Sequence, residues 1–233
     1  MVKSMINFVC VNWGLKFKPL YVQTLYNMVQ RHLTVPHRFI LFTDRIKLHK
    51  TITGHNFEIR KLPFEEYKGY WNKLTLFSPE ANLNGVNLYM DLDVVIKDNI
   101  DCFATYESED SFCVMRDFGQ PETWYNSSIL KFNNVNATDF IWRPFLKNKA
   151  KDMTLQGDQN VITNYIKEQP GVKKLKTFPD TWTQSYKWLD RSQTKFHKKS
   201  WTFEESPLAK VAIFHGNPKP HESDQNWVKN NWK

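Results

Sequence analysis

Val86-Asn87-Leu88-Tyr89-Met90-Asp91-Leu92-Asp93-Val94-Val95-Ile96 is the stretch on which the reading of this chain turns. Val86 to Met90 reads as a short hydrophobic strand that runs straight into an acidic pair. In extended backbone, residues i and i+2 point to the same side, so the carboxylates of Asp91 and Asp93 can converge on one hard cation. Leu92 between them then turns back into the core. Mg²⁺ and Mn²⁺ take oxygen ligands and share them with substrate phosphates. Asp-x-Asp alone is a weak signal, and a solvated turn would also account for it. The apolar residues on both sides argue against that turn, because two unpaired carboxylates held near a core are costly without a cation.

Outward from this stretch, the first half alternates strand and helix. Met5 to Asn12 reads as a buried strand, and Pro19 opens a helix to His32 with apolar residues at Leu20, Leu25, Met28 and Val29. His37 to Thr43 and Phe57 to Leu62 are further strands, and Asn72 to Pro79 a helix ended by its proline. The second half is mixed. Strands are expected over Ser111 to Met115, Ser127 to Phe132, Val172 to Thr177 and Lys210 to Phe214. Helices are expected over Thr138 to Lys149, kinked at Pro144, and over Gly157 to Lys167. Asp180 to Pro207 reads as loops and short helices. The pattern predicts an α/β domain with a central, mostly parallel mixed sheet flanked by helices. Ligands of such sheets bind beyond the carboxyl ends of strands, where both the acidic pair and Asn12-Trp13 lie.

The chain has 233 residues, which suits one domain over 1–233. Cys10, Cys102 and Cys113 are odd in number and show no metal-ligand spacing, so free thiols are expected. No apolar run reaches membrane-span length, and the run from Met5 to Val11 is a poor signal peptide; the expected location is cytoplasmic. The net charge of +8 suits a solvated lysine-rich surface or an anionic partner, and leaves peripheral membrane contact open.

Several motifs occur in order along the chain: Asn12-Trp13-Gly14, Thr43-Asp44, Trp71-Asn72-Lys73-Leu74, Tyr89-Met90-Asp91-Leu92-Asp93, Tyr125-Asn126-Ser127-Ser128, Gly157-Asp158-Gln159-Asn160 and Phe214-His215-Gly216-Asn217-Pro218-Lys219-Pro220-His221. Together they resemble the GT-A fold glycosyltransferases, and among them the retaining group of glycogenin and the lipopolysaccharide galactosyltransferases. Two departures stand out. His215 and Lys219 are closer in sequence than the group's His and Lys, and His221 stands where the group has Trp.

The resemblance implies a metal site of Asp91, Asp93 and His215 holding Mn²⁺, or Mg²⁺ in its place. It implies a donor, UDP-glucose or UDP-galactose, held by Asn12, Trp13, Thr43, Asp44, Asn72, Lys73, Asp91, Leu92, Asn126, Ser127, Gly216 and Lys219. It further implies a nucleotide-binding half near 1–100 and a sugar and acceptor half near 101–233, catalytic roles for Asp158, Gln159 and Lys219, and hexose transfer with retention to an acceptor that the sequence does not name. Each residue also has a plainer role: Asp158 a helix cap, Lys73 and Lys219 solvated cations, His215 a strand-end histidine. Asp117 or Glu122 would supply a base in an inverting reaction. Trp124, Trp182, Tyr186, Trp188 and Trp201 are candidates for an acceptor platform, although such residues are more often core. The alternatives are a metal-dependent nucleic-acid phosphodiester enzyme and a noncatalytic nucleotide- or carbohydrate-binding module. Neither explains the ordered motifs, so no nucleic-acid partner is expected.

Overall fold

The computed structural model describes residues 5–52, 54–168, 175–187 and 202–233. Its strands are β1 Ile6–Asn12, β2 His37–Thr43, β3 Phe57–Lys61, β4 Val86–Met90, β5 Val94–Ile96, β6 Phe112–Arg116, β7 Tyr125–Asn133, β8 Leu175–Thr177, β9 Thr183–Ser185 and β10 Val211–Ile213. Its helices are α1 Pro19–His32, α2 Ile46–His49, α3 Asn72–Thr75, α4 Asp101–Thr105, α5 Asn134–Ala137, α6 Arg143–Asp152, α7 Asp158–Glu168 and α8 Asn226–Asn231.

Seven strands form the main sheet in the order β3-β2-β1-β4-β7-β6-β8. β3, β2, β1 and β4 run parallel, β7 is antiparallel to both β4 and β6, and β8 is parallel to β6. Alternate residues of β1 serve opposite faces. Phe8 and Cys10 pack with Val22, Leu25 and Val29 of α1, while Val9 packs with Ile40, Phe42 and the side of the sheet covered by Phe145 and Val161. Both faces are thus covered, which is why β1 reads as a nearly unbroken apolar run. This is the expected α/β architecture.

A second sheet has the order β5-β10-β9. β10 pairs antiparallel with β5, whose first residue follows Asp93 directly. The Phe214 amide donates to the Asp93 carbonyl at 3.2 Å. This small sheet is what brings the segment from His215 to Lys219 to the acidic pair.

Several boundaries differ from expectation. The helix expected over Asn72 to Pro79 is shorter. A 3₁₀ turn over Gly69–Trp71 leads into α3, and Pro79 opens a second 3₁₀ turn, because proline fits a first helical turn better than a last one. The helix expected over Thr138 to Lys149 begins earlier, as α5. It passes through a π-helical turn at Thr138–Trp142 before α6. Pro144 lacks an amide hydrogen, and the hydrogen-bond ladder opens just ahead of it. β5, β9 and α8 are elements that the periodicity did not single out; the two strands are three residues each. Of the strand expected from Val172, Val172 to Lys174 lie outside the described residues, as do Trp188 and Trp201.

Candidate active site

At the carboxyl ends of β1 and β4 lies a cavity of about 300 Å³. Val11, Trp13, Lys16 and Phe17 line it from the β1 side, and Gly69, Tyr70 and Lys73 from the turn before α3. Tyr89, Asp91, Leu92, Asp93 and Asp158 complete it. Asp91 and Asp93 lie just beyond the end of the strand. β4 ends at Met90 and the chain turns at Leu92 and Asp93 before β5. The turn, rather than strand alternation, brings both carboxylates to one cavity. Leu92 is core as expected, yet its edge still reaches the cavity wall.

The carboxylates are held by ammonium groups. Lys73, 6% exposed, places its Nζ 3.0 Å from Asp91 Oδ1 and 2.9 Å from Asp158 Oδ2. It also donates to the Ser127 carbonyl at 3.2 Å and to Ser127 Oγ at 3.1 Å. Ser127 Oγ donates to Asp158 Oδ2 at 2.7 Å, and the Tyr89 hydroxyl donates to Asp91 Oδ1 at 2.6 Å. Burial alone would depress the Lys73 pKa, but Asp158 and then Asp91 outweigh it and hold the ammonium well above its ordinary range. Three segments distant in sequence therefore meet at one buried nitrogen: α3, the end of β4, and the start of α7 beside β7.

Asp93 pairs with Lys219. Burial raises the Asp93 pKa first, the nearby Asp91 raises it further, and Lys219 opposes both. Lys219 also lines an adjoining cavity of about 360 Å³, which shares Lys16 and Phe17 with the first. His221, where the resembled group has Trp, bonds through Nδ1 to the Tyr21 hydroxyl, and Tyr21 also packs edge-on against Trp232.

His215, just beyond the end of β10, has partners other than the acidic pair. Its Nε2 shares a 2.6 Å hydrogen bond with Ser185 Oγ, and its ring stacks on Phe118. Burial first, then the Lys187 ammonium, pushes its pKa down to about 4, so the ring is neutral at pH 7. Among the described residues, no group of three or more His, Cys, Asp or Glu side chains is close enough to hold a metal ion. The donor chemistry of Asp91 and Asp93 fits a hard divalent cation, since the half-buried Asp93 carboxylate, whose proton affinity Asp91 raises, gains from a cation beside it. His215 is not placed as their third ligand.

The other residues implied by the resemblance divide. Trp13, Lys73, Asp91, Leu92 and Asp93 line the cavity together with Asp158, whereas Asn12, Thr43, Asp44, Asn72, Asn126 and Gly216 do not. Asn12 is buried and donates to the Phe17 carbonyl at 3.2 Å, which shapes the loop that carries Trp13. The Thr43 hydroxyl accepts from the Arg45 amide, and Asp44 accepts from the Gly14 amide. Asn72 donates to the Gly69 carbonyl, and Asn126 accepts from the Ser128 amide. Ser127 acts from behind, through Lys73 and Asp158. Gly216 takes a φ of +73°, which reverses the chain after His215. Gln159 donates to Asp117 at 3.2 Å and does not line the cavity. Asp117 also accepts from the Gly119 and Gln120 amides, and Glu122 lies 3.6 Å from Arg116. Trp182 packs against Phe103, Tyr106 and Phe178, and Tyr186 stacks on Phe214, so both serve the core. Lys167 lies over the Trp124 ring.

The cavity residues that sequence reading missed are Val11, Lys16, Phe17, Gly69, Tyr70 and Tyr89. Tyr89 had a usable signal, because it immediately precedes Met90-Asp91 on a strand. Tyr70, half exposed at the cavity, lies directly before the Trp71-Asn72-Lys73 motif.

Solved structures similar to this chain include glycosyltransferases. LgtC, a galactosyltransferase solved with donor and acceptor sugar analogs, is 15% identical with a TM-score of 0.61, covering 94% of this chain and 90% of its own. An active-site mutant of LgtC is 13% identical with a TM-score of 0.66, covering 97% and 93%. GlyE of Streptococcus pneumoniae TIGR4 is 15% identical with a TM-score of 0.65 over 92% of this chain. The chain has the GT-A fold. It spans 56% of the GlyE chain, so GlyE carries more than this fold. No protein-family model matches the chain, and no curated protein matches it in sequence. At these identities the likeness shows the fold, and the chemistry has to be argued from the cavity.

Proposed function

We propose that this chain is a glycosyltransferase that moves a hexose, glucose or galactose, from a UDP-sugar to an acceptor hydroxyl with retention of configuration. The observation that carries the reading is the joining of Asp91, Lys73 and Asp158 beside the Asp93–Lys219 pair, on one cavity at the strand ends of a GT-A sheet. The cavity is lined as a nucleotide sugar would require: aromatic rings of Trp13, Phe17 and Tyr70, and cationic side chains of Lys16 and Lys73. The paired carboxylates of Asp91 and Asp93 would hold Mn²⁺ or Mg²⁺, a Lewis acid for the departing diphosphate.

The chain's own residues have separable tasks. Trp13 and Tyr70 offer flat surfaces to the base or sugar. Lys219, within reach of the acidic pair, stabilises negative charge on the departing nucleotide. Lys73 and Ser127 hold the Asp158 carboxylate in one orientation, facing the cavity where the sugar would lie. The neutral His215 orders the loop that delivers Lys219.

A screen of UDP-sugars with Mn²⁺, read as free UDP by chromatography, tests the reading without an acceptor, because slow donor hydrolysis suffices. UDP release from one UDP-hexose, abolished by chelator and restored by Mn²⁺, is the expected result. Absence of donor binding by every UDP-sugar would overturn it.

A further inference from the structure

Two segments beside the candidate donor cavity alternate exposed apolar and basic side chains. Leu15-Lys16-Phe17-Lys18-Pro19-Leu20 joins β1 to the first turn of α1, and Arg45-Ile46-Lys47-Leu48-His49-Lys50 covers α2. Leu15 and Leu20 are 70% and 57% exposed, and Ile46 and Leu48 are 36% and 39% exposed. Lys16, Lys18, Arg45, Lys47 and Lys50 are exposed as well. Neither segment contains an acidic residue. The adjacent Asp44 is engaged by the Gly14 amide at 3.0 Å and lies 4.0 Å from Arg45.

The segments are held side by side. Asn12 donates to the Phe17 carbonyl at 3.2 Å, and its Nδ2 lies 3.3 Å from Nε2 of the buried His49. The Asp44–Gly14 bond ties the two loops a second time. Both project from the carboxyl-terminal end of the parallel strands, the end that carries Asp91 and Asp93.

Single exposed aliphatic side chains need no explanation. Four of them set among five cations on neighbouring loops have the composition of an interfacial membrane surface: aliphatic tips for the acyl boundary, ammonium and guanidinium groups for lipid phosphates. A nucleic acid would use the cations but leave the four aliphatic tips in water, since it offers stacking rather than aliphatic burial. We propose that this face docks on the surface of an anionic phospholipid bilayer. The chain's net charge of +8 favours the same partner. No helix among the described residues is long and apolar enough to cross a membrane, so the contact is peripheral. The docking does not depend on the proposed reaction. It sets the mouth of the donor cavity beside the lipid.

Flotation of the full chain with phosphatidylcholine vesicles, with and without phosphatidylglycerol, tests the proposal. Binding to the anionic vesicles alone is expected, falling as salt rises. Lys47→Glu with Lys50→Glu should lower it about tenfold or more, at roughly fivefold per basic residue removed from the surface. Leu15→Ser with Leu48→Ser, at unchanged charge, should also lower it severalfold. Circular dichroism checks that both variants fold. In the unaltered protein, brominated acyl chains should quench tryptophan fluorescence, which needs no variant. Absence of vesicle binding, equal binding to neutral vesicles, or undiminished binding by both double variants would overturn the proposal. So would RNA binding that the charge variant loses while vesicles never bind.

Discussion

Two buried lysines, both anchored along β7, show what separates a site from a scaffold. Lys73 reaches Ser127 near the start of that strand; Lys131 lies within it. Lys131 is 1% exposed, and its Nζ donates to the carbonyls of Tyr106 and Ser108 at 2.6 and 2.8 Å, and of Glu107 at 3.5 Å. Burial pulls its pKa below the ordinary lysine value, because carbonyl dipoles do not repay the lost hydration of a cation. Lys73 is buried as well, but Asp158 and Asp91 reverse the sign of the shift. Burial of an ammonium therefore does not mark a site; the charge on its partners does. Lys131 pins one loop and is finished. Lys73 holds two carboxylates that face a cavity.

The sharpest way to break this comparison is to remove each ammonium in turn. Lys73→Met should cost about 3–5 kcal/mol in denaturant unfolding, since it strands the buried Asp158 carboxylate and the half-buried Asp91. Adding Asp158→Asn should recover part of that loss. If Lys73→Met unfolds no more readily than the unaltered chain, the two lysines are alike after all. Next comes Asp93→Asn, which leaves the shape of the cavity and removes a charge. Donor turnover should fall by about two to three orders of magnitude, and full activity of the variant in chelator would sink the metal reading. Lys131→Met should cost about 1–3 kcal/mol from unsatisfied carbonyls, with UDP release per folded molecule unchanged.

The smallest effect concerns a half-buried base, His215, near two lysines and one aspartate. His215 has a folded pKa of about 4 against an ordinary 6.5. Between those values the unfolded chain binds a proton that the folded chain refuses, so this residue's contribution to stability falls as pH drops from about 6.5 to 4. Melting temperature measured across that window should therefore decline less steeply in His215→Gln. Identical slopes would place His215 outside the cationic setting given by Lys187 and Lys219.

Much of the fold was legible because its long elements carry strong periodic signals. β1, β2 and α1 are buried by many residues each, and their patterns survive any local detail. β5 and β9, of three residues each, are too short to show a period and exist because β10 lies between them. The site was legible in residue type more than in geometry. Asp91, Asp93, Lys73 and Asp158 were recognisable as motif residues. That Lys73 joins Asp91 to Asp158 was not, because the link spans three segments that only tertiary packing brings together. Asn12, Asn72 and Asn126 bond nearby backbone and do not line the cavity, for a polar residue at a strand or helix end satisfies nearby backbone as readily as it meets a ligand. Tyr70 and Phe17 lie in loops without periodicity, and nothing local distinguishes them from other aromatic residues.

The Asp93–Lys219 pair also has a bearing on how the chain comes to life. Its two residues are 126 positions apart, and β5, which follows Asp93, finds its antiparallel partner only in β10. Contacts of such long range are late arrivals in folding. During synthesis, which proceeds from the amino terminus, β1 to β4 can be complete, with Lys73 already at Asp91, while Asp93 still lacks its ammonium partner. The second sheet thus acts as a latch: closing β10 on β5 is the same event that delivers Lys219 to Asp93.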